Sequence, residues 1–578
     1  MKKLYVSFLL GLILMLGCES TPVSISTMSV LDPVYEAFVG DDPEYLYIHR
    51  PGFAQNYNRY KGRFTPLAHH DPEAKQARIQ SAIDLWKAVD TLGWGTANQL
   101  HYQALGHYLQ TQSETEVLDR NTFPFNPVDG VHLTLMSELA LGFTFGEKKD
   151  TEYYSDRLRN FTKQLSLHVA EAKKLAEAGV LPPKYMLEEV RKQVDSISRT
   201  PALQHPLLKS IARQLGKADP VDMNEYTAVT IIANTEAIIE GQITGAYQRL
   251  LPFIDTWIDQ ADTTASPISD PTTYALHLKK HLGYTVKVDT LHNGGMKQFA
   301  IQKKRVDLTA LPTFRAETEI LYDVRKRIFV GDSANAYQRR MQRNARGLFD
   351  SIPNSRPEIV EMPDIALDYT PSWGFMPSAM DGSRKSMLLM DRTHAEFASL
   401  DKDQIFLYTW GIPGVHLYEN VHQELLKLGD WPRLIQYHGP QAGWRLLAGE
   451  LAVQELGLLS ANPTQNARYQ QHKLVSLAKL IVDTGFHLNN WSRTKGIRFL
   501  ATETGISPRQ AQYIMDRIIL YPGEGASEWI AYQAFLQLQR NAKTLKGEDY
   551  LLQDFYQLIL NFSHFPLENL NNSINELL

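Results

Sequence analysis

Cysteine is almost absent from this chain: Cys18 stands alone among 578 residues. One thiol cannot form an internal disulfide, and it cannot supply the paired thiolates of a structural zinc site. Long apolar runs are also scarce. Leu4 to Leu16 is the one clear case, and it is too short to span a bilayer comfortably. An excess of positive charge is missing too, with 59 Lys and Arg against 64 Asp and Glu, which argues against a general nucleic-acid or anionic-membrane binder. There is no internal repeat and no low-complexity break. No G-x-S-x-G elbow, Walker loop or dinucleotide fingerprint occurs. Ser492-Arg-Thr-Lys495 fits S-x-x-K, but a four-residue match is common by chance and this one sits where a helix is expected to start.

What is present begins at the N-terminus. Lys2 and Lys3 precede the apolar run, and Gly17-Cys18 follow it, the layout of a cleaved export signal. Leu14-Met-Leu-Gly-Cys18 resembles the bacterial lipobox, with Met15 in place of the usual leucine. This implies lipidation at Cys18, which would leave the mature chain without a thiol. The reading divides the chain into a signal peptide (1–17), a flexible tether (18–35) and a single large helical domain (36–578), with lobes allowed. Loss of Lys2 and Lys3 from the 59 basic residues leaves a net charge of about −7, so membrane contact should come from lipid rather than charge. Glu19 is not the aspartate that retains lipoproteins at the inner membrane of enteric bacteria. By that analogy the expected location is the envelope, on the periplasmic face, with the outer membrane favoured.

Helical periodicity dominates the rest. Ile79, Ile83, Trp86 and Val89 form a stripe after Asp71-Pro72, and Leu474, Leu477, Ala478 and Ile481 form another. Ser507-Pro508-Arg509-Gln510 predicts a capped helix start that Tyr521-Pro522-Gly523 ends. Tyr226 to Gln260 reads as one long helix or two. Strands are expected at Glu358–Pro363 and Lys385–Asp391. Tyr284–Val288 alternates like a strand before a turn-forming Asn293-Gly294, and that segment is left open.

Four blocks in the last third carry a resemblance. They are Thr409-Trp-Gly-Ile-Pro-Gly-Val415, Gln441-Ala-Gly-Trp-Arg-Leu-Leu-Ala-Gly-Glu450, Val482-Asp-Thr-Gly-Phe-His-Leu-Asn-Asn-Trp491 and Tyr521-Pro-Gly-Glu-Gly-Ala-Ser-Glu-Trp529. In order, they resemble the H-E-x-x-P-G-H, E-G-W-A-x-Y-x-E, D-x-G-x-H-x-x-x-W and P-G-Q-x-x-x-Y blocks of the bacterial domain-of-unknown-function family eight-eight-five. That resemblance implies a zincin-like, mainly α fold with a small β element beside a cleft. It also implies a zinc site of two histidines and a glutamate, with a second glutamate as general base. Here those positions hold Thr409, Val415, Ala442 and Trp410. Catalytic zinc needs three histidine or carboxylate ligands, and tryptophan has no lone pair to take a proton from water. The metal positions are therefore degenerate, and no zinc or other cofactor is expected. The third block is intact at Asp483, Gly485, His487 and Trp491.

Rival sites are weaker. His416 and His422 flank Glu419, but steps of three place the histidines about 120° apart on a helix, so a solvated or capping role is preferred to a relocated metal site. Asp483 and His487, at i and i+4, suit either a structural hydrogen bond or a pocket-lining acid–base pair. They are the weak catalytic candidates. Trp410, Trp444, Trp491 and Trp529 recur through the blocks, as core packing or as a shared aromatic wall. The expected cleft residues are Trp410, His416, Trp444, Asp483, His487 and Trp491. The leading function is a non-catalytic envelope lipoprotein binding a peptide or protein. The alternatives are a hydrolase using a relocated or non-zinc site, and a scaffold subunit for an active relative.

Overall fold

The computed structural model describes residues 29–40, 42, 64–65, 71–120, 122–143, 145, 148–215, 225–306, 308, 336, 338–349, 352–361, 373–379, 384–390, 404–421, 431–457 and 463–577. Cys18 and His422 lie outside them. The chain opens with α1 (Asp32–Val39), α2 (Pro72–Lys87) and α3 (Thr96–Thr115). A bundle follows: α4 (Val131–Ser137), α5 (Asp150–Glu177), α6 (Lys184–Arg199), α7 (Pro206–Leu215), α8 (Glu225–Ile238) and α9 (Thr244–Gln260). Next come α10 (Pro271–Leu282), α11 (Leu291–Lys303) and three strands, β1 (Glu358–Glu361), β2 (Trp373–Met376) and β3 (Met387–Met390). The last third contains α12 (Gln404–Trp410), α13 (Val415–Val421), α14 (His438–Glu450), α15 (Pro463–Leu488), α16 (Arg493–Thr504), α17 (Pro508–Leu520), α18 (Glu524–Lys546), α19 (Leu552–Asn561) and α20 (Leu567–Leu577).

Two separate apolar cores organise these helices. One joins α1–α3 and α10–α11 to α13–α20, around Trp444, Leu474 and Phe535. The other lies within α4–α9, around Leu158, Val190 and Trp257. Polar contacts link the two bodies: the Tyr185 hydroxyl donates to Asp516 at 3.1 Å, and Arg493 grips the same carboxylate at 2.9 and 3.1 Å.

The sheet has the order β1-β3-β2, parallel between β1 and β3 and antiparallel between β3 and β2. Side chains alternate across it. Ile359, Leu388 and Phe375 face the cluster built on Leu407 and Tyr469, while Val360, Met387 and Met376 face Leu141 of the α4–α9 bundle. The sheet is thus wedged between the motif helices and the bundle.

Most sequence expectations hold locally. Asp71 caps α2 by accepting from the Glu73 and Ala74 amides, and Ser507 and Gln510 form the capping box of α17. The long helix at Tyr226 to Gln260 is α8 and α9, joined by a π turn at Ile239–Ile243. Tyr284–Val288 forms no strand, and Asn293-Gly294 lies inside α11. β2 was not anticipated. The tether boundary also moves: α1 begins at Asp32, inside the 18–35 span. Leu31, Val34 and Tyr35 are buried there, because their i, i+3, i+4 spacing gives even this short helix an apolar face.

Candidate functional site

The first motif does not form one helix, as a metallopeptidase-like signature implies. It ends α12 at Trp410, turns through Gly411–Gly414, and starts α13 at Val415. Pro413 brings no amide hydrogen to continue a ladder. Gly414 is pressed so closely on the Thr409 carbonyl that a Cβ there would overlap it. Thr409 and Val415 therefore sit on different helices, both buried, with Ala442 buried on α14. The Thr409 hydroxyl donates to the Phe406 carbonyl of its own helix at 3.3 Å. The Trp444 indole N–H donates to the Pro413 carbonyl at 3.0 Å and pins the turn to α14.

Trp410 has acquired a partner. The Arg445 guanidinium lies over its ring, 4.6 Å from the centroid. The same Arg445 pairs with Glu528 at 2.7 Å, and Lys479 reaches the other carboxylate oxygen at 2.5 Å. The Glu528 side chain is 1% exposed. Burial alone would raise its pKa, but the Lys479 and Arg445 charges outweigh that and hold it well below the usual carboxylate range. His472 packs into the same cluster, where burial and then the Arg445 charge lower its pKa to about 3 and keep it neutral.

Further polar contacts extend this seam along α15. Glu450 accepts from Tyr469 at 3.0 Å, from Lys473 at 3.4 Å and from Tyr532. Glu524 takes a bidentate grip from Arg517 at 2.9 and 2.6 Å and lies 3.8 Å from His438. Tyr418, Glu419, Tyr437, His438, Pro440 and Gln441 line a cavity of about 280 Å³ beside the α13–α14 contact.

Asp483 and His487 do not pair. They stand 4.0 Å apart, and both are buried. Asp483 accepts the Gly523 and Ala526 amides at 3.2 and 3.0 Å, the first free donors of α18. Burial raises its pKa to about 7, against the lowering effect of those amides and of the Tyr274 hydroxyl. His487 accepts the Ile268 amide at Nδ1 and meets the Ile518 carbonyl at Nε2, 3.2 and 3.0 Å away. These partners assign a neutral ring protonated at Nε2, and burial lowers its pKa to about 4.

Two other sequence expectations need correction. His416 is neither solvated nor capping, because it is fully buried. Its Nδ1 accepts from Ser386 at 2.7 Å and Asn420 at 3.0 Å, and its Nε2 faces the Ser355 carbonyl at 3.1 Å. It is a brace between α13 and the start of β3. The four tryptophans do not share a wall. Trp444 is in the core, Trp529 donates to Gln298 at 2.7 Å, and Trp491 packs on Gly485 with Lys495 over its ring. Only Trp410 joins the ionic cluster. Sequence reasoning missed Arg445. The available signal was a charge in each of two blocks, Arg445 where the resemblance has alanine and Glu528 where it has tyrosine. Among the described residues, no group of three or more His, Cys, Asp or Glu side chains is gathered as a metal would require.

Residues 51–574 match the model of a family described as bacterial protein of unknown function, DUF885. No curated protein matches the chain. A candidate lipoprotein from Colwellia psychrerythraea has a similar solved structure, with TM-score 0.81, 18% identity and 96% of this chain and 99% of that one covered. A candidate lipoprotein of unknown function from Shewanella oneidensis gives TM-score 0.62 and 13% identity, over 96% of this chain and all of that one. At such identities the likeness speaks to the fold. The family match establishes that this chain is a member of the DUF885 family.

Proposed function

We propose that this DUF885 protein is an envelope lipoprotein whose metallopeptidase-like scaffold no longer performs zinc hydrolysis and instead binds a peptide or protein at the former active-site cleft. The carrying observation is Trp410 under Arg445. The position that the family resemblance gives to the general base holds an indole, and its neighbour's guanidinium is committed to that ring and to Glu528. Thr409, Val415 and Ala442 are buried and offer no histidine or carboxylate. Two relatives of the same fold described as candidate lipoproteins favour the lipid anchor at Cys18, and no described helix is long and apolar enough to cross a membrane.

The domain reading that goes with this proposal is a leader, a tether ending before Ser29, and one folded unit with two cores. The ligand-facing region is the cavity at Glu419, His438 and Gln441 together with the half-buried Trp410. Asp483, His487, Trp444 and Trp491 are assigned to its frame, not to ligand contact.

Metal analysis of the purified mature protein, with a peptide-library turnover assay alongside, tests the reading. The expected result is no stoichiometric zinc and no turnover. One tightly held ion per chain, or turnover lost in a His438→Ala variant, would overturn it. The four-residue change Thr409→His, Trp410→Glu, Val415→His and Ala442→Glu asks whether the frame can again hold zinc.

A further inference from the structure

Leu92 is the most exposed large apolar side chain among the described residues, at 90% of its full area. It stands at the tip of the loop joining α2 and α3, and that tip is firmly built. The Leu92 amide donates to Asp90 at 2.9 Å, the Trp94 amide to the Thr91 carbonyl at 3.1 Å, and Gly93 takes φ +80°, a left-handed turn that suits glycine. Trp94 is half-buried and meets Tyr102 edge-on, and Trp86 stacks on the same ring at 4.8 Å. Leu85, 40% exposed, lies on the last turn of α2. An isolated exposed leucine is ordinary. A leucine held on a rigid turn above an aromatic girdle is the arrangement of a membrane-interface contact.

The route of the chain supports one particular occupant. Lys75 bonds Asp119 at one end of the α2–α3 pair, and Trp86 stacks on Tyr102 at the other, so the two helices are antiparallel. Phe38 of α1 packs against Tyr108, and Asp42 beyond it lies near Arg78. α1 therefore packs along the α2–α3 pair that carries Leu92, and Ser29–Leu31 leads into its start. Val30, 44% exposed, is at that start. Cys18 precedes Ser29 by 11 residues, a reach of at most roughly 40 Å.

We infer that the Leu92–Trp94 tip, with Leu85 and Val30, rests in the headgroup–acyl boundary of the phospholipid membrane that holds the acyl chains on Cys18. This rests on the lipoprotein reading above, but not on the fate of the metal site. Tethering keeps the tip at high local concentration near the bilayer, so a small apolar contact is enough to orient the body. Asp84, Lys87 and Asp90 are all exposed around the tip and supply no cationic surplus, so the contact should not depend on anionic lipid.

The lone cysteine makes a clean test possible. Acylation consumes Cys18, so Leu92→Cys provides the one thiol for an environment-sensitive fluorophore on the full lipidated protein. The protein is placed in phosphatidylethanolamine–phosphatidylglycerol vesicles doped with a nitroxide lipid. Quenching is expected to be at least threefold stronger at position 92 than at Leu203→Cys, a 70%-exposed site on the α4–α9 bundle. It should be unchanged when phosphatidylglycerol is omitted, and Leu92→Asp should reduce quenching of a label at Leu85→Cys. Equal quenching at 92 and 203, with acyl label incorporated at Cys18, overturns this inference and leaves the lipoprotein reading intact. No acyl incorporation at Cys18 overturns both.

Discussion

Glu528 and Asp483 are both buried carboxylates facing the polar seam along α15, and they respond to burial in opposite ways. Glu528 is clamped by Lys479 and Arg445, and its pKa falls well below the usual range. Asp483 has no cation beside it, only the two amides of α18 and the Tyr274 hydroxyl to set against burial, and its pKa rises to about 7. The difference separates two kinds of residue in a family motif. Asp483 belongs to a block that matches the family pattern, and its closest partners are two main-chain amides whose positions the fold sets. Glu528 and Arg445 depart from the pattern, and their partners are each other. Residues kept by the motif serve the frame. Those that depart from it pair with each other, near Trp410, in a side-chain network.

The comparison breaks first at Glu528. Glu528→Ala strands two partly buried cations, which costs about 3–5 kcal/mol when one partner of a buried pair is removed. Urea denaturation should show this as a lower midpoint with an unchanged slope. A loss below about 1 kcal/mol would mean that water already satisfies Arg445 and Lys479. Asp483→Ala comes next, at about 2–3 kcal/mol, because two buried amides at the start of α18 lose their acceptor. Asp483→Asn should be much milder, since its carbonyl can still accept. If both Asp483 variants are harmless, the capping role is wrong.

The frame was far more legible in the sequence than the site. Periodic apolar positions such as Leu474, Leu477, Ala478 and Ile481 locate a helix face without knowledge of its partner, and Ser507 with Gln510 encodes a cap locally. The break at Gly411–Gly414 was harder to see. Pro413 and Gly414 match the family signature, and a metallopeptidase-like signature implies one helix, against their local tendency to end it. Arg445 and Glu528 lie 83 positions apart, so their pairing depends on the packing of α14 against α18, which no local pattern reports. His416 was misjudged for the same reason: its partners, Ser386 and the Ser355 carbonyl, come from the region of the sheet. The second core was anticipated only as a lobe, since two cores and one large core have the same helical periodicity.

Coupling offers a sharper test than either single loss. If Arg445 and Glu528 form one unit, installing the residues expected from the family, Arg445→Ala with Glu528→Tyr, should cost less than the sum of the two separate changes. A coupling of about 1–3 kcal/mol is typical for contacting residues in one network. Additive losses would indicate that the pair is a coincidence of packing.

The two carboxylates also predict opposite pH trends. Glu528 has a depressed folded pKa, so its contribution is present above its unfolded value and is lost as pH falls through the folded one. Asp483 is raised to about 7, so its contribution is full below its unfolded value and declines as pH rises towards 7. The buried neutral histidines His101, His132 and His487, lowered to about 4, and His281 and His472, lowered to about 3, act in the same sense as Glu528. Their contribution is complete above pH 6.5 and is lost below it. Thermal midpoints of the wild-type protein should therefore fall steadily from pH 6.5 to 4.5. Asp483→Asn, free of the opposing titration, should compare best with the wild type above pH 7 and worst in acid. A constant difference between the two proteins across that range would show that Asp483 stays ionised throughout, held by the Gly523 and Ala526 amides and the Tyr274 hydroxyl.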